Sequence, residues 1–225
     1  MVEFFEVGVL GNKKLSPFVH HISLEKPKGF VFQPGQFVMV KTSVGLRPYS
    51  IASSPDSSNL EFCVKSAGKV SGAFCSLLEG EKVEISSARG DFTFKSEGAK
   101  RVIFVATGTG LAPFKSMVPF VLKKFPEKKV ILIFGTKKEE DILYRDYFEG
   151  LSRSDSFEYI VVLSREPNWG GEKGHVDSVL RRLLSEKQGE TEIYLCGLNA
   201  MVEDSVKVAE SENFEKDKIH FEKYG

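Results

Sequence analysis

The sequence predicts an antiparallel β-barrel domain followed by an α/β domain with a parallel sheet. Three observations carry that expectation. Up to about residue 94, short extended segments are broken by Pro27-Lys28-Gly29, Pro34-Gly35 and Pro55-Asp56, the punctuation of a small barrel. Beyond residue 98, unbroken apolar runs alternate with helical stretches, as in parallel sheets covered on both faces. Between the two patterns, Lys95-Ser96-Glu97-Gly98 is a polar linker. The expected domains are therefore residues 1–97 and 98–225.

In the first domain, residues 4–10, 19–24, 36–42, 60–65 and 82–87 read as strands. One helix interrupts them: Ser71 can cap a turn running through Phe74, Leu77 and Leu78, ended by Gly80. In the second, strands over 102–106, 130–134, 157–163, 192–196 and 218–222 alternate with helices over 111–123, 144–151, 175–186 and 199–212. No internal repeat or low-complexity segment interrupts this order.

Lys+Arg and Asp+Glu both number 31, so no net charge points to nucleic acid or an anionic membrane. No apolar run reaches the length of a membrane span, and residues 1–15 lack the layout of a signal peptide. Cys63, Cys75 and Cys196 lie far apart. They offer neither metal-ligand spacing nor the four thiolates of an iron–sulfur cluster, and no metal site is expected. A reducing, cytoplasmic setting follows. His20-His21 point to alternate faces and form no ligand set, so all four histidines read as structural.

Two stretches carry chemistry. Residues 102–106 form a β-branched apolar strand that breaks into Gly108-Thr109-Gly110 and opens a helix from Leu111. Bare N–H groups at such a turn suit an anion. Pro113 stands where a three-glycine dinucleotide fingerprint would want glycine, so this is a phosphate-type turn of another kind. In the barrel half, Arg47-Pro48-Tyr49-Ser50-Ile51-Ala52-Ser53-Ser54 joins a phosphate-matching guanidinium to a flat ring. On a strand, Arg47 and Tyr49 share one face and Ser50 takes the other. The same pattern also suits a solvated edge strand.

Together, Arg47-Pro48-Tyr49-Ser50 and Gly108-Thr109-Gly110-Leu111-Ala112-Pro113 resemble the paired signature of the ferredoxin–NADP reductase family of flavoproteins. Five further regions resemble that family. They are Gly68-Lys69-Val70-Ser71, then Ile142-Leu143-Tyr144 with Phe148, then Ser164-Arg165-Glu166 with Gly171-Glu172-Lys173. Tyr194-Leu195-Cys196-Gly197-Leu198 with Met201 follows, and Phe221-Glu222-Lys223-Tyr224 closes the series.

The resemblance implies FAD and NADP(H) as cofactors, and these roles. Arg47 neutralises the FAD pyrophosphate; Ser71 and the backbone of Lys69 and Val70 complete the cradle, with Pro48, Val64, Lys65 and Gly68 against the same cofactor. Tyr49 stacks on the isoalloxazine and Ser50 hydrogen-bonds near the hydride-accepting nitrogen. Gly108, Thr109, Gly110 and Pro113 receive the nucleotide, and Ser164, Arg165 and Lys173 its 2′-phosphate. Cys196, Gly197 and Leu198 belong to the nicotinamide region, with Glu222 beside it. Ser50, Cys196 and Glu222 are the expected catalytic residues, and Tyr224, followed by Gly225, covers the flavin.

Taken singly, Cys196 also suits a small buried hydrophobe, Glu222 an edge charge, and Ser164, Arg165 and Lys173 loop polars. The implied activity is electron transfer between NADPH and a separate one-electron carrier, ferredoxin or flavodoxin. The rivals are an NAD(P)H:flavin reductase, the reductase component of an oxygenase, and an electron-transfer subunit of a larger complex.

Overall fold

The computed structural model describes residues 3–96, 98–186 and 190–224. Glu97 of the expected linker and Gly225 lie outside them. The chain divides into two compact units, Met1–Phe94 with Ala112–Pro119, and Lys95–Leu111 with Phe120–Gly225.

The first unit is a six-stranded antiparallel sheet. Its strands are β1 (Phe4–Ser16), β2 (Val19–Glu25), β3 (Phe37–Thr42), β4 (Gly45–Ser50), β5 (Asn59–Lys65) and β6 (Lys82–Ser86), in the order β4-β3-β6-β1-β2-β5. The sheet curls until its edges meet: Ala52 N donates to Glu61 O at 2.7 Å and Ile51 bridges Phe62. Inward positions such as Ile22, Val40, Phe62 and Ile85 are fully buried and form the core. β1 runs past the expected end at Leu10. Register shifts at Val9/Gly11 and Lys14/Ser16 bend it, so it pairs first with β6 and then with β2.

The helix of this unit, α1 (Lys69–Cys75), departs from the expected one. Ser71 is not its N-cap; Gly68 is. Ser71 stands one turn inside, where its Oγ accepts from Gly68 N at 3.0 Å and from Ala67 N at 3.1 Å. The helix stops at Cys75, before Leu77 and Leu78; Phe74 and Cys75 are its buried residues, Leu77 packs against the same core from the turn that follows, and Leu78 is exposed. On Ala112–Pro119, Ser116 Oγ donates to Ser53 O at 2.6 Å and Lys115 Nζ lies 2.7 Å from Glu61 Oε2.

The second unit is a six-stranded parallel sheet of β7 (Arg101–Thr107), β8 (Lys129–Thr136), β9 (Phe157–Leu163), β10 (Glu172–Lys173), β11 (Thr191–Leu198) and β12 (Ile219–Tyr224), ordered β10-β9-β8-β7-β11-β12. The connecting helices are α2 (Ala112–Lys124), α3 (Arg145–Leu151), α4 (Val176–Ser185) and α5 (Asn199–Ser211). β10 was not expected, since two residues carry no period. α4 and α5 cover one face, packing Val179, Leu180 and Val202 on Ile103, Ile131 and Leu195. The chain builds outward from β7 to β10, then returns to lay β11 on β7's other side. The order reverses between β7 and β11, and the carboxyl ends at such a reversal are where open α/β sheets bind ligands. Among the described residues, no helix is long and apolar enough to cross a membrane.

Arg101 pins the opposite end of the same strand pair. It is buried, its Nε donates to Thr191 Oγ1 at 2.9 Å, and an η-nitrogen donates to Leu183 O at 3.0 Å. Burial lowers its pKa, and Glu186 opposes that. Arg101→Met removes charge-assisted bonds and leaves buried acceptors unsatisfied. It is expected to cost about 1.5–3 kcal/mol, read as a lower denaturant midpoint with an unchanged m-value.

Candidate functional site

In the first unit, β4 is an edge strand paired only with β3 inside the sheet. Pro48 is tolerated there because an edge strand need not donate at every position. Arg47 and Tyr49 share a face, opposite Val40 and Val38 of β3. Arg47 is exposed and, among the described residues, makes no ion pair. Tyr49 is half-buried, its ring centroid 5.1 Å from that of Phe74, and it packs against the barrel core. Burial pushes the Tyr49 phenol up to about 12, with Cys75 adding to the rise and Arg47 opposing it. The ring is therefore neutral at physiological pH. Ser50 is buried.

α1 brings Gly68, Lys69, Val70 and Ser71 to the same unit, with Lys69 exposed and Val70 and Ser71 partly buried. Val64 differs from its expected place against a cofactor: its side chain is in the core, so only its backbone is available, and its carbonyl accepts from Cys75 Sγ at 3.8 Å. Lys65 beside it is exposed.

In the second unit, the carboxyl ends of β7, β11 and β12 converge. Gly108 is exposed with φ of 54°, Thr109 is partly buried and Gly110 is buried; Pro113, on the part of α2 that belongs with the first unit, is buried as well. A Cβ on Gly110 would stand 2.3 Å from Cys196 O and 2.6 Å from Gly197 Cα. A Cβ on Gly197, where φ is 150°, would stand 2.3 Å from Thr107 Oγ1. The two glycines let the turn after β7 touch the end of β11. Thr107, which carried no sequence signal, lines this contact, and its Oγ1 accepts from Leu198 N at 3.4 Å.

Register sets Cys196 between Ala106 and Glu222, and Leu198 beside Tyr224. Cys196 is fully buried, whereas Leu198 is exposed. Burial pushes the Cys196 thiol well up and the neighbouring Glu222 adds to this, while a hydrogen bond with Tyr224 opposes it. Cys196 is a neutral thiol at physiological pH.

Ser164 and Arg165 follow β9 and are exposed; Ser164 N donates to Thr136 O at 3.0 Å and Arg165 N to Lys137 O at 2.9 Å. Among the described residues, Arg165 makes no ion pair. Pairing of β10 with β9 sets Lys173 beside Leu163, at the same end, where its Nζ donates to Pro167 O at 2.8 Å.

Comparison with known proteins agrees with this geometry. Residues 12–94 match the family model described as Oxidoreductase FAD-binding domain, and residues 104–207 that described as Oxidoreductase NAD-binding domain. The chain is 34% identical to a protein named Ferredoxin--NADP reductase B of Sorangium cellulosum, over 99% of this chain and 98% of that one. It is 29% identical to the phenol 2-monooxygenase reductase component DmpP of Pseudomonas sp., over 90% of this chain but only 61% of that one. A ferredoxin NADP+ reductase of Neisseria gonorrhoeae, solved with bound FAD and NADP, has the same fold. Its TM-score is 0.85 at 23% identity, over 98% of both chains. An edge strand carrying Arg47 and Tyr49, a glycine turn seated on Cys196–Gly197 and two matching oxidoreductase domains lead to one assignment: the chain belongs to the ferredoxin–NADP reductase family of flavin-dependent oxidoreductases.

Proposed function

We propose that the protein uses FAD to move electrons between NADPH and a separate one-electron carrier, ferredoxin or flavodoxin, with residues 1–97 serving the flavin and 98–225 the nucleotide. The observation that carries this reading is the mutual close approach of Gly110 and Gly197, which leaves a glycine turn and Cys196 at one sheet reversal. Three scattered cysteines cannot supply a four-thiolate cluster from this sequence, so the carrier is taken as another protein. A reducing, cytoplasmic setting belongs to the same reading, because cysteines spaced this way serve as thiols rather than as a disulfide framework.

The residues fit a flavin dinucleotide. Arg47 offers an exposed guanidinium to a pyrophosphate, with Ser71 and the backbone of Gly68, Lys69 and Val70 supplied by the start of α1 in the same unit, and with Pro48, Val64 and Lys65. Tyr49 offers a neutral ring stiffened from behind by Phe74. Bound FAD supplies the redox chemistry, taking two electrons as hydride and releasing them singly.

The remaining work is positioning. Ser50 gives a hydroxyl at the end of β4. Gly108, Thr109, Gly110 and Pro113 shape the seat for the coenzyme pyrophosphate, where backbone can come close. Cys196, with Gly197, Leu198 and Glu222, presents an uncharged thiol and a carboxylate side by side to the nicotinamide. A neutral thiol there adds no charge to repel or trap the departing hydride. Tyr224 anchors this group through its bond to the thiol. Ser164, Arg165 and Lys173 recognise the 2′-phosphate, with Arg165 as the principal cation because Lys173 is already engaged with Pro167.

The oxygenase-component relative supports a second reading, in which the protein is the reductase component of an oxygenase. Purification, identification of the released flavin, and turnover with NADPH or NADH against ferredoxin, flavodoxin and free flavin separate these readings. Flavin reduction by neither coenzyme would defeat both.

Three outcomes are expected. Arg47→Ala loses a charge-assisted contact of about 1.5–3 kcal/mol and purifies folded but depleted of FAD; full occupancy would refute the role. Cys196→Ala slows NADPH-driven flavin reduction about tenfold or more, a barrier rise of about 1.4 kcal/mol. A stopped-flow pH profile of the unchanged protein should show no step from this thiol up to its ordinary value of 9.0, because burial moves it higher. Fast reduction in Cys196→Ala with a lowered melting temperature would make the cysteine a packing residue. Arg165→Ala raises the Michaelis constant for NADPH roughly ten- to a hundredfold and leaves that for NADH nearly unchanged. Equal losses for both coenzymes would remove the 2′-phosphate role.

A further inference from the structure

α1 has seven residues, with no acidic residue in its first turn and no basic one in its last. A helix this short does not hold itself together in water, so its placement depends on what grips it. All four carbonyls of its final turn are engaged. Gly72 O and Ala73 O accept from Ser76 N, and Phe74 O accepts from Leu77 N. The fourth, Cys75 O, accepts from Asn12 Nδ2 at 2.9 Å, and the same amide nitrogen donates to Leu77 O at 2.8 Å. Asn12 lies on the bent stretch of β1, far from α1 in sequence.

With both amide hydrogens used, Asn12 Oδ1 can only accept. The 2.8 Å contact with His20 Nδ1 therefore has the imidazole donating. Burial, with Lys14 adding to it, lowers the His20 pKa, so a neutral ring with its proton on Nδ1 makes this bond at physiological pH.

The other grips on α1 do not fix its direction. Phe74 sits in the core with ring centroids 5.1 Å from Tyr49 and 5.9 Å from Phe62, which sets depth and acts as a pivot. The Cys75 Sγ contact with Val64 O, at 3.8 Å, is weak. Two bonds from one planar amide to Cys75 and Leu77 stop rotation about that pivot.

We propose that Asn12, oriented by His20, is the positioning residue for the flavin-binding segment, aiming α1 so that Lys69, Val70 and Ser71 meet the cofactor. This rests on the reading of β4 and α1 as the flavin site. If α1 is released, FAD must order it on binding, and the apparent affinity falls by the fraction of molecules with α1 in place.

The test uses the full chain stripped of flavin and titrated with FAD, followed by flavin fluorescence. Asn12→Leu should weaken FAD binding about five- to a hundredfold and speed amide exchange across α1. The melting temperature of the flavin-free protein should hardly move, because opening of α1 is local. His20→Leu should weaken FAD severalfold, whereas His20→Gln, which restores a donor, should bind like the unchanged protein. Asn12→Leu binding FAD as tightly as the unchanged protein would overturn the proposal, as would equal affinities for His20→Leu and His20→Gln. That histidine pair decides alone should Asn12→Leu fail to fold. If the unchanged protein binds no FAD, or Arg47→Ala binds it undiminished, the flavin reading itself fails and this proposal with it, a result distinct from tight binding by Asn12→Leu.

Discussion

Gly110 has no room for a side chain, and the nucleotide unit is arranged around that fact. A single added carbon would press on the Cys196 carbonyl and the Gly197 Cα, both backbone, which cannot swing aside as a flexible side chain would. Gly197 is held reciprocally against Thr107. This mutual seating fixes how far the turn after β7 reaches across the end of β11. It also fixes where the following helix begins. The adjacent register then brings Glu222 next to Cys196 without any further device. A thiol and a carboxylate thus become neighbours through strand pairing rather than through loop conformation, and strands hold such a pair more tightly than loops do.

The barrel unit solves a different problem. Arg47 and Tyr49 lie on an edge strand, where the polypeptide offers groups outward, but Tyr49 also packs on Phe74 and the core. One residue is therefore shared between the packed core and the proposed flavin site. Its neutral phenol follows from that sharing, since the burial that stiffens the ring is the main cause of its raised pKa.

Much of this was legible beforehand because each element announced itself by period or composition. The unbroken run Val102–Ala106 marks a buried strand, the alternation of strands and helices marks the parallel sheet, and Arg47 through Ser50 and Gly108 through Gly110 mark the edge strand and the glycine turn on which the proposed sites rest. The parts that escaped have physical reasons. β10 is two residues long, and Lys173 comes beside Leu163 only through its pairing. Ser71 has the residue type of a helix cap, but it stands at N3, where its hydroxyl reaches back to the Gly68 and Ala67 amides, as the N3 side chain of a capping box does. Val64 alternates into the core, a parity that depends on register. Asn12 reads as an ordinary polar residue because its partners, Cys75 and Leu77, are more than sixty residues away.

The strand order has a consequence in time. Arg101 bonds Thr191 across a separation of 90 residues, because β11 arrives only after β8, β9 and β10 have been laid down on the other side. At ribosomal rates of about 5–20 residues per second, the β11-facing edge of β7 waits roughly 5 to 20 s for its partner. During that interval the hydrophobic strand Val102–Ala106 has one side unpaired, and Gly110 has no backbone to rest on. Until synthesis passes β11, the nascent chain must keep this edge of the strand from pairing elsewhere.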